Sequence, residues 1–558
     1  QKIFRSPRLK TAIVGIDGAT FDILRPLIEG GECPHIARIL REGVSGDLES
    51  EKPPITPPAW TSMMTGVNPG RHGVYHFIRR LPNSYGYALN DSRKYSGKDI
   101  MTILGKRGWS VGTFSVPMVF PPFPVNQGYQ VAGIPCPIQG DSLGWPAGLM
   151  KELESWQGHP YEADVDYGPF DGDNEKTHDN LEQYARLRDE LFRIERDRLA
   201  LMRRLLKDKP TDFFFTVISV TDRCQHYFWK FQDKSHPGWS EKGAKLFGEV
   251  IRDSYRLADE FVGAVREIVG DDVPIALVSD HGFGPQYSDF HLNKWLEQEG
   301  YLVRKPVPRW TLGVATLGEV MHAVKVPWAV KLLGPIAKWK LFRPKRKVAA
   351  DMRDIDWPKT RAYTSLHGIA LNMKGREPIG IVDQRDFHSL LQEIEAKLTQ
   401  VKMPDGSPAF DYGAIKDDIY EGPMIDEAPD YQFQMAGLSC LNKDDLGSHE
   451  MFTMRKNAAI SGQHRFNGIF AFAASNVREG LVLDGLHIQD TVPTLLHALG
   501  EAVPAWMDGS VNIELLQKQL EIQFDRTAEP EPGNLDESAF STAESDAIEE
   551  SLRGLGYL

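Results

Sequence analysis

The sequence predicts an α/β protein, a mostly parallel sheet sandwiched by helices and carrying inserted cap segments. Three observations lead to this class. Short runs of aliphatic and aromatic residues recur ("TAIVGI", "DFFFTVIS", "PIALVS"), and each is followed closely by acids or a histidine. Long helical patterns, notably 180–207 and 243–269, separate these runs. Strands alternating with helices bury a parallel sheet on both faces, and ligand sites in such sheets lie beyond the carboxyl ends of the strands.

Taken in order, "TAIVGID" reads as a short buried strand ending on Asp17, followed by a helix in "ATFDILRPLIEG". A second helix, "PHIARILREG", opens on Pro34 and stops at Gly43. The stretch "PPITPPAWTSMMTGVNPGRHG", Pro53 to Gly73, then sets Thr56 at the mouth of an apolar helix, ahead of two prolines. Residues 117–145 are rich in Pro and Gly with aromatics interleaved, which predicts an ordered loop over the core, part of an inserted region over 117–180. The next strands run into Thr221-Asp222 and into Asp280-His281-Gly282. Residues 303–347 hold eleven Lys or Arg, one acid (Glu319), and Trp310, Trp328 and Trp339. They read as an inserted cap within 300–350, with a basic amphipathic face interrupted at Pro335. "SGQHRFNGIFAF" places His464 just before another apolar strand. These elements form one domain over 10–515. From 516 to 558 follows an acidic tail, read as a solvated extension: a disordered linker, "RTAEPEPGNLDES", and a short amphipathic helix in "SDAIEESLRGLGYL", whose last residues are candidates for docking on the body.

The formal charge of the 558-residue chain is −13, but Glu521 to Leu558 holds ten acids and two bases and so supplies −8 of it. The remainder is mildly acidic, and no nucleic-acid polymer is expected as a partner. Cys33, Cys136, Cys224 and Cys440 form no metal-ribbon spacing, which points to a reducing, cytoplasmic compartment. No run approaches the roughly 20 apolar residues of a membrane span. The sequence opens on Gln1 rather than Met, which is compatible with a removed leader. Peripheral membrane contact through 303–347 is the alternative to a cap that covers a site or a second copy of the chain.

Asp222 and His226, at i and i+4 just after a strand, project from one face of the first helical turn and can grip one metal ion. Asp280 and His281 are adjacent at a strand end, Asp17 ends the first strand, and His464 reaches the same edge. Singly each is weak. A strand-end aspartate is more often a helix cap, an i, i+4 pair more often a solvated face. The signal is the set. His72 reads instead as a buried hydrogen-bonding residue that fixes its loop.

In order and approximate spacing, "GIDGATFD", "TPPAWTSMMTGVNPGRHGVYHF", "TDRCQH", "SDHGFGP" and "GQH" resemble the alkaline phosphatase superfamily. The branch they are most similar to is the type I phosphodiesterase and nucleotide pyrophosphatase group, including its phosphohydrolase and phosphomutase members. The resemblance covers about residues 10 to 515 and implies a phosphohydrolase with two divalent metal ions. One would be held by Asp222, His226 and His464, the other by Asp17, Asp280 and His281. Thr56 would be the nucleophile, reaching towards the second metal and passing through a phospho-threonine. Mixed Asp/His ligands favour Zn²⁺, with Mn²⁺ as the main competitor. Where nucleotide pyrophosphatases show Thr-Phe-Pro-Asn, this chain has Thr56-Pro57-Pro58-Ala59, so the amide that helps bind a phosphoryl oxygen is missing. Thr56 also lacks the Cys or Ser that sulfatases convert to an aldehyde. A phosphodiester of a small molecule, glycan or lipid is the expected substrate. The alternatives are a phosphomonoesterase or a phosphotransferase or phosphomutase on the same site, and a non-catalytic metal-bound scaffold for a phosphorylated ligand. A homo-oligomer is compatible with the sequence.

Overall fold

In the first strand, Thr11–Ile16, successive side chains face opposite ways: Ala12, Val14 and Ile16 enter one apolar core and Ile13 another. Phe213–Ile218 divides likewise, with Phe214 and Ile218 on one side and Phe213, Phe215 and Val217 on the other. The structure is a computed structural model and describes residues 9–167, 180–306, 352–531, 533 and 539–557. Its main sheet has the order Leu481–Val482, Val44–Glu49, Asn467–Ala473, Ile275–Val278, Thr11–Ile16, Phe213–Ile218, Val111–Val116, Tyr129–Ala132, Gly144–Trp145. Most pairs are parallel, as the alternation of strands and helices implies. Asn467–Ala473 runs antiparallel to both neighbours, and so does Gly144–Trp145 at the edge.

Helices cover both faces. Phe21–Glu29, Pro34–Glu42, Leu181–Asp208, Val220–Gln232 and Val250–Val269 pack on one core. Thr56–Thr65, Ile100–Lys106 and Thr491–Ala498 pack on the other. The parallel strands deliver their carboxyl ends to one edge, which receives Asp17, Asp222, Asp280 and His281. Because Asn467–Ala473 is antiparallel, the residue that reaches this edge precedes that strand, and it is His464. Val44–Glu49 ends at the same edge and feeds the turn into Thr56.

A second, seven-stranded sheet was not expected from the sequence. It is built from Ser288–His291, Ala362–Ser365, Gly368–Leu371, Phe410–Ile415, Tyr431–Met435, Cys440–Lys443 and Phe452–Met454. One pair, Ser288–His291 with Cys440–Lys443, is parallel, and Phe290, Tyr363, Leu371 and Phe433 lie in its own apolar core.

Other expectations are corrected in detail. The 117–145 stretch is not only a loop, since Tyr129–Ala132 and Gly144–Trp145 extend the main sheet. The pattern over 243–269 is two helices, Glu241–Phe247 and Val250–Val269, parted at Gly248. The tail is not simply a solvated extension. Its helix, Thr542–Gly554, starts with a Ser541/Glu544 capping box and buries Ile548, Leu552 and Leu555 on the body. Most of the basic 303–347 segment lies outside the described residues. No described helix is long and apolar enough to cross a membrane, and all four cysteines are free.

Candidate active site

The site is assembled by close backbone approaches. Gly18 follows Asp17 with φ +69°, a left-handed turn that a side chain would strain, and a Cβ there would lie 2.9 Å from the Phe283 ring. Gly462 lets the short strand Gly462–Arg465 lie on the Val220–Gln232 helix, because a Cβ would meet the Gln225 carbonyl at 2.2 Å. That contact carries His464 to His226, whose Nε2 atoms stand 3.0 Å apart.

Thr56 is the first residue of its helix, preceded by extended Ile55, and all ten residues of that helix are buried. Pro57 and Pro58 lack an N–H, so the first three positions present a single backbone donor, that of Thr56. The N-terminal dipole still favours negative charge there. The Thr56 Oγ1 lies 3.3 Å from His281 Nε2. One turn on, Trp60 Nε1 donates to Asp17 Oδ2 at 3.3 Å and orients that carboxylate. Thr61 and Thr65 bond back to the carbonyls of Pro57 and Thr61, which satisfies their hydroxyls inside a buried helix. His72 is buried, with Nε2 2.9 Å from Ser62 Oγ and Nδ1 accepting from Val74 N–H, the loop-fixing role read from the sequence.

The seven residues converge in one closed space: Asp17, Thr56, Asp222, Asp280 and His281 are 0% exposed, His226 1% and His464 2%. Among the described residues, two sets have ligand atoms mutually within 4.8 Å: Asp222, His226 and His464, and Asp17, Asp222 and His281. The first is the triad expected from the resemblance. The second contains Asp222 where Asp280 was expected, although Asp280 Oδ2 is 3.2 Å from His281 Nε2 and borders the same space. Asp222 therefore faces both sets.

The tautomers follow from the partners. His226 Nδ1 donates to the Gly462 carbonyl at 3.1 Å, His464 Nδ1 to that of Pro54 at 2.9 Å, and His281 Nδ1 to that of Gly282 at 3.1 Å. A carbonyl can only accept, so each Nδ1 carries the proton and each Nε2 presents a lone pair. Two lone pairs facing each other across 3.0 Å suit a shared cation. The buried carboxylate oxygens agree: Asp17 Oδ1, Asp222 Oδ1 and Asp280 Oδ2 have no hydrogen-bond partner among the described residues. The donor set fits divalent metal ions.

Electrostatics point the same way. Burial, with the Asp222 charge added, pushes Asp17 up to about 8, and burial with Asp17 and Asp222 pushes Asp280 up. Asp222, despite its burial, is held well below the usual carboxylate range, with the charged Arg223 guanidinium bonded to it. Burial pushes His226 down to about 3 and His281 below its ordinary value. Neutral imidazoles and crowded carboxylates are what a cation needs in order to bind.

Besides Trp60, Arg223 and Tyr557 touch the set without having been expected in it, and Asp164 supports Arg223 from behind. Arg223 bonds Asp222 and, through Nη2 at 2.9 Å, Asp164, fixing the Asp222 carboxylate. Its place inside "TDRCQH" was visible, but Asp164, distant in sequence, gave no sign. Tyr557 places its hydroxyl 3.2 Å from both His226 Nε2 and His464 Nε2. Beside His464 opens a cleft lined by Pro54, Phe433, Met435, Leu438, Leu441, and Tyr557. Most of its far wall comes from the second sheet.

Residues 11–433 match the family model of type I phosphodiesterase / nucleotide pyrophosphatase. Comparison of the sequence with curated proteins yields no match. Among solved structures the chain is similar to a phosphonoacetate hydrolase from Sinorhizobium meliloti 1021 in complex with phosphonoformate, at TM-score 0.52 and 13% identity, covering 88% of this chain and 96% of that one. It is also similar to human ectonucleotide pyrophosphatase / phosphodiesterase 5, at TM-score 0.50 and 13% identity, covering 91% of this chain and 100% of that one. The murine protein of that name, an inactive threonine-to-alanine variant in complex with AMP, matches with the same figures, TM-score 0.50, 13%, 91% and 100%. At such identity these likenesses establish a shared fold.

Proposed function

Because the chain belongs to the type I phosphodiesterase / nucleotide pyrophosphatase family and is a phosphoryl-transfer hydrolase of that family, we propose that it cleaves phosphodiesters through a covalent adduct on Thr56. The observation that carries this reading is the position of Thr56: a buried hydroxyl at a helix N-terminus, 3.3 Å from Nε2 of His281, a member of the second ligand set. The inactive threonine variant of the murine neighbour supports a threonine in this role.

Asp222, His226 and His464 would hold one ion, and Asp17, Asp280 and His281 the other, with Asp222 near both. Ions there would neutralise charge at phosphorus and make a threonine alkoxide accessible; Zn²⁺ suits the ligands best and Mn²⁺ competes. The chain's own part is positioning. Trp60 and Arg223 orient Asp17 and Asp222, and the helix dipole favours charge beside Thr56. The Thr56 Oγ–P bond forms as the bond from phosphorus to the leaving oxygen breaks, and that oxygen departs as an alcohol after taking a proton. Water then displaces Thr56 from phosphorus and restores the hydroxyl.

A diester is favoured over a monoester by two features. Arg223 is committed to Asp164 and Asp222 rather than offered to a dianionic phosphate. The cleft beside His464, walled by Phe433, Met435 and Leu441 with Gln432, Asn442 and Gln463 among its lining, offers apolar and polar contacts to a second ester substituent. The test compares hydrolysis of bis-p-nitrophenyl phosphate and p-nitrophenyl phosphate by metal-stripped protein refilled with Zn²⁺ or Mn²⁺. Faster diester cleavage is expected; faster monoester cleavage would replace this reading with a phosphatase or phosphomutase.

A further inference from the structure

We infer that Tyr557 is the fourth ligand of the ion held by Asp222, His226 and His464, so that the segment 539–557 occupies the position substrate must take. The inference rests on the metal reading of the site given above.

The first argument is geometric. Ligand atoms of Asp222, His226 and His464 cluster, and the Tyr557 hydroxyl stands against both histidine nitrogens of that cluster. The histidine nitrogens are 3.0 Å apart, and Asp222 Oδ1 is 3.5 Å from His226 Nε2 and 3.3 Å from His464 Nε2. The Tyr557 oxygen is 3.2 Å from each histidine nitrogen. Four ligands about 2.0–2.1 Å from a tetrahedral zinc lie roughly 3.3–3.4 Å from one another. These five edges, 3.0–3.5 Å, lie close to those of such a tetrahedron, and Tyr557 stands where its fourth corner falls. A catalytic zinc site keeps that corner open for water or substrate. Here the chain fills it, and Thr56 lies beside the same hydroxyl.

The second argument is the way the segment is seated. Ile548, Leu552, Leu555 and Tyr557 are each at most 4% exposed, and the Tyr557 ring stands 4.8 Å from that of Phe77. Tyr227, next to His226 on the same helix, donates to the Gly554 carbonyl. A Cβ on Gly554 would meet Tyr167 at 2.5 Å, so the helix end lies flush on the body. Phe540 stacks on Phe120 with ring centres 5.1 Å apart. Docking of the segment and the environment of His226 are thus one structural unit. With Tyr557 seated, the nucleophile is sealed from solvent, so a phosphoryl group reaches Thr56 only when the segment withdraws. The segment is an internal competitor of substrate.

The test uses the full chain loaded with Zn²⁺ and orthovanadate as a phosphate mimic. Amide hydrogen exchange over 542–557 is followed with and without vanadate, and vanadate affinity is measured for wild type and Tyr557→Phe. The phenylalanine keeps the ring contact with Phe77 and loses only the oxygen. Vanadate is expected to speed exchange over 542–557 about tenfold or more, and Tyr557→Phe to bind vanadate about tenfold tighter. A chain shortened to remove 539–558 should show the same gain in affinity. Exchange unchanged by bound vanadate would overturn the inference. So would a Tyr557→Phe variant that binds vanadate equally or more weakly, the result for a hydroxyl that donates to the phosphoryl group. Zinc uptake by calorimetry separates the two readings: uptake without these vanadate effects sinks this inference alone, whereas no uptake sinks the reading of the site as well.

Discussion

At the level of single residues, Thr56 has the clearest consequence. Thr56→Ala should lower turnover by about 10³-fold or more while leaving the fold intact, since the change removes one hydroxyl and one methyl from the head of the helix. Turnover measured beside a thermal melt checks this. Trp60→Phe should keep most of the packing but free Asp17 Oδ2, and zinc affinity measured by competition with a chelator should fall about 10–100-fold. Protonation gives a further expectation. Burial pushes His72 and His76 well below the ordinary histidine value, so both fold neutral. Their folded values are depressed, so the unfolded chain binds the extra protons, and stability is full above about pH 6.5 and lost as pH falls through that value. The slope is at most about 1.4 kcal/mol per pH unit for each histidine, read from urea unfolding at pH 7 and pH 5.5. Asp17, Asp222, Asp280 and His281 were legible in the sequence because parallel strands must end somewhere and these ended on acids or histidine. Asp164 was not, because an acid 58 positions before Asp222 becomes a partner of Arg223 only through tertiary packing.

At the level of elements, the site depends on the seat of the Gly462–Arg465 strand on the Val220–Gln232 helix. Gly462→Ala would drive a methyl into the Gln225 carbonyl, and overpacking of this kind costs about 1–3 kcal/mol. The variant should melt at lower temperature and bind zinc more weakly, because the shift separates His464 from His226; an unchanged zinc affinity would show that the two histidines are positioned independently. Main-sheet strands such as Thr11–Ile16 were readable as continuous apolar runs, the mark of strands buried on both faces. The second sheet was missed for the opposite reason. Segments such as Ala362–Ser365 and Gly368–Leu371 are four residues each, too short to show a period, and although these two form a hairpin, the sheet is completed by pairs far apart in sequence, Gly368–Leu371 with Tyr431–Met435 and Ser288–His291 with Cys440–Lys443. Gly248 ended a helical pattern that apolar spacing alone carried across it.

At the level of the whole molecule, three crowded carboxylates and three imidazole lone pairs at the carboxyl edge of the sheet make the fold and the metal set interdependent. Removal of metal with a chelator should lower the melting temperature, and zinc at about 100 times its dissociation constant should restore about 2.7 kcal/mol of stability. Differential scanning calorimetry with and without zinc checks this. The tail shows why composition misled: its acids suggested a solvated extension, whereas the apolar stripe of Ile548, Leu552 and Leu555 decides where it lies. The central claim, a covalent adduct on Thr56, is tested most directly by acid-quenching the zinc-loaded enzyme during turnover of a diester and mapping its peptides by mass spectrometry. The account predicts the phosphoryl-bearing fragment of the substrate on Thr56 and no adduct in Thr56→Ala. Turnover by the wild type with Thr56 unmodified throughout, and turnover retained in Thr56→Ala, would contradict it.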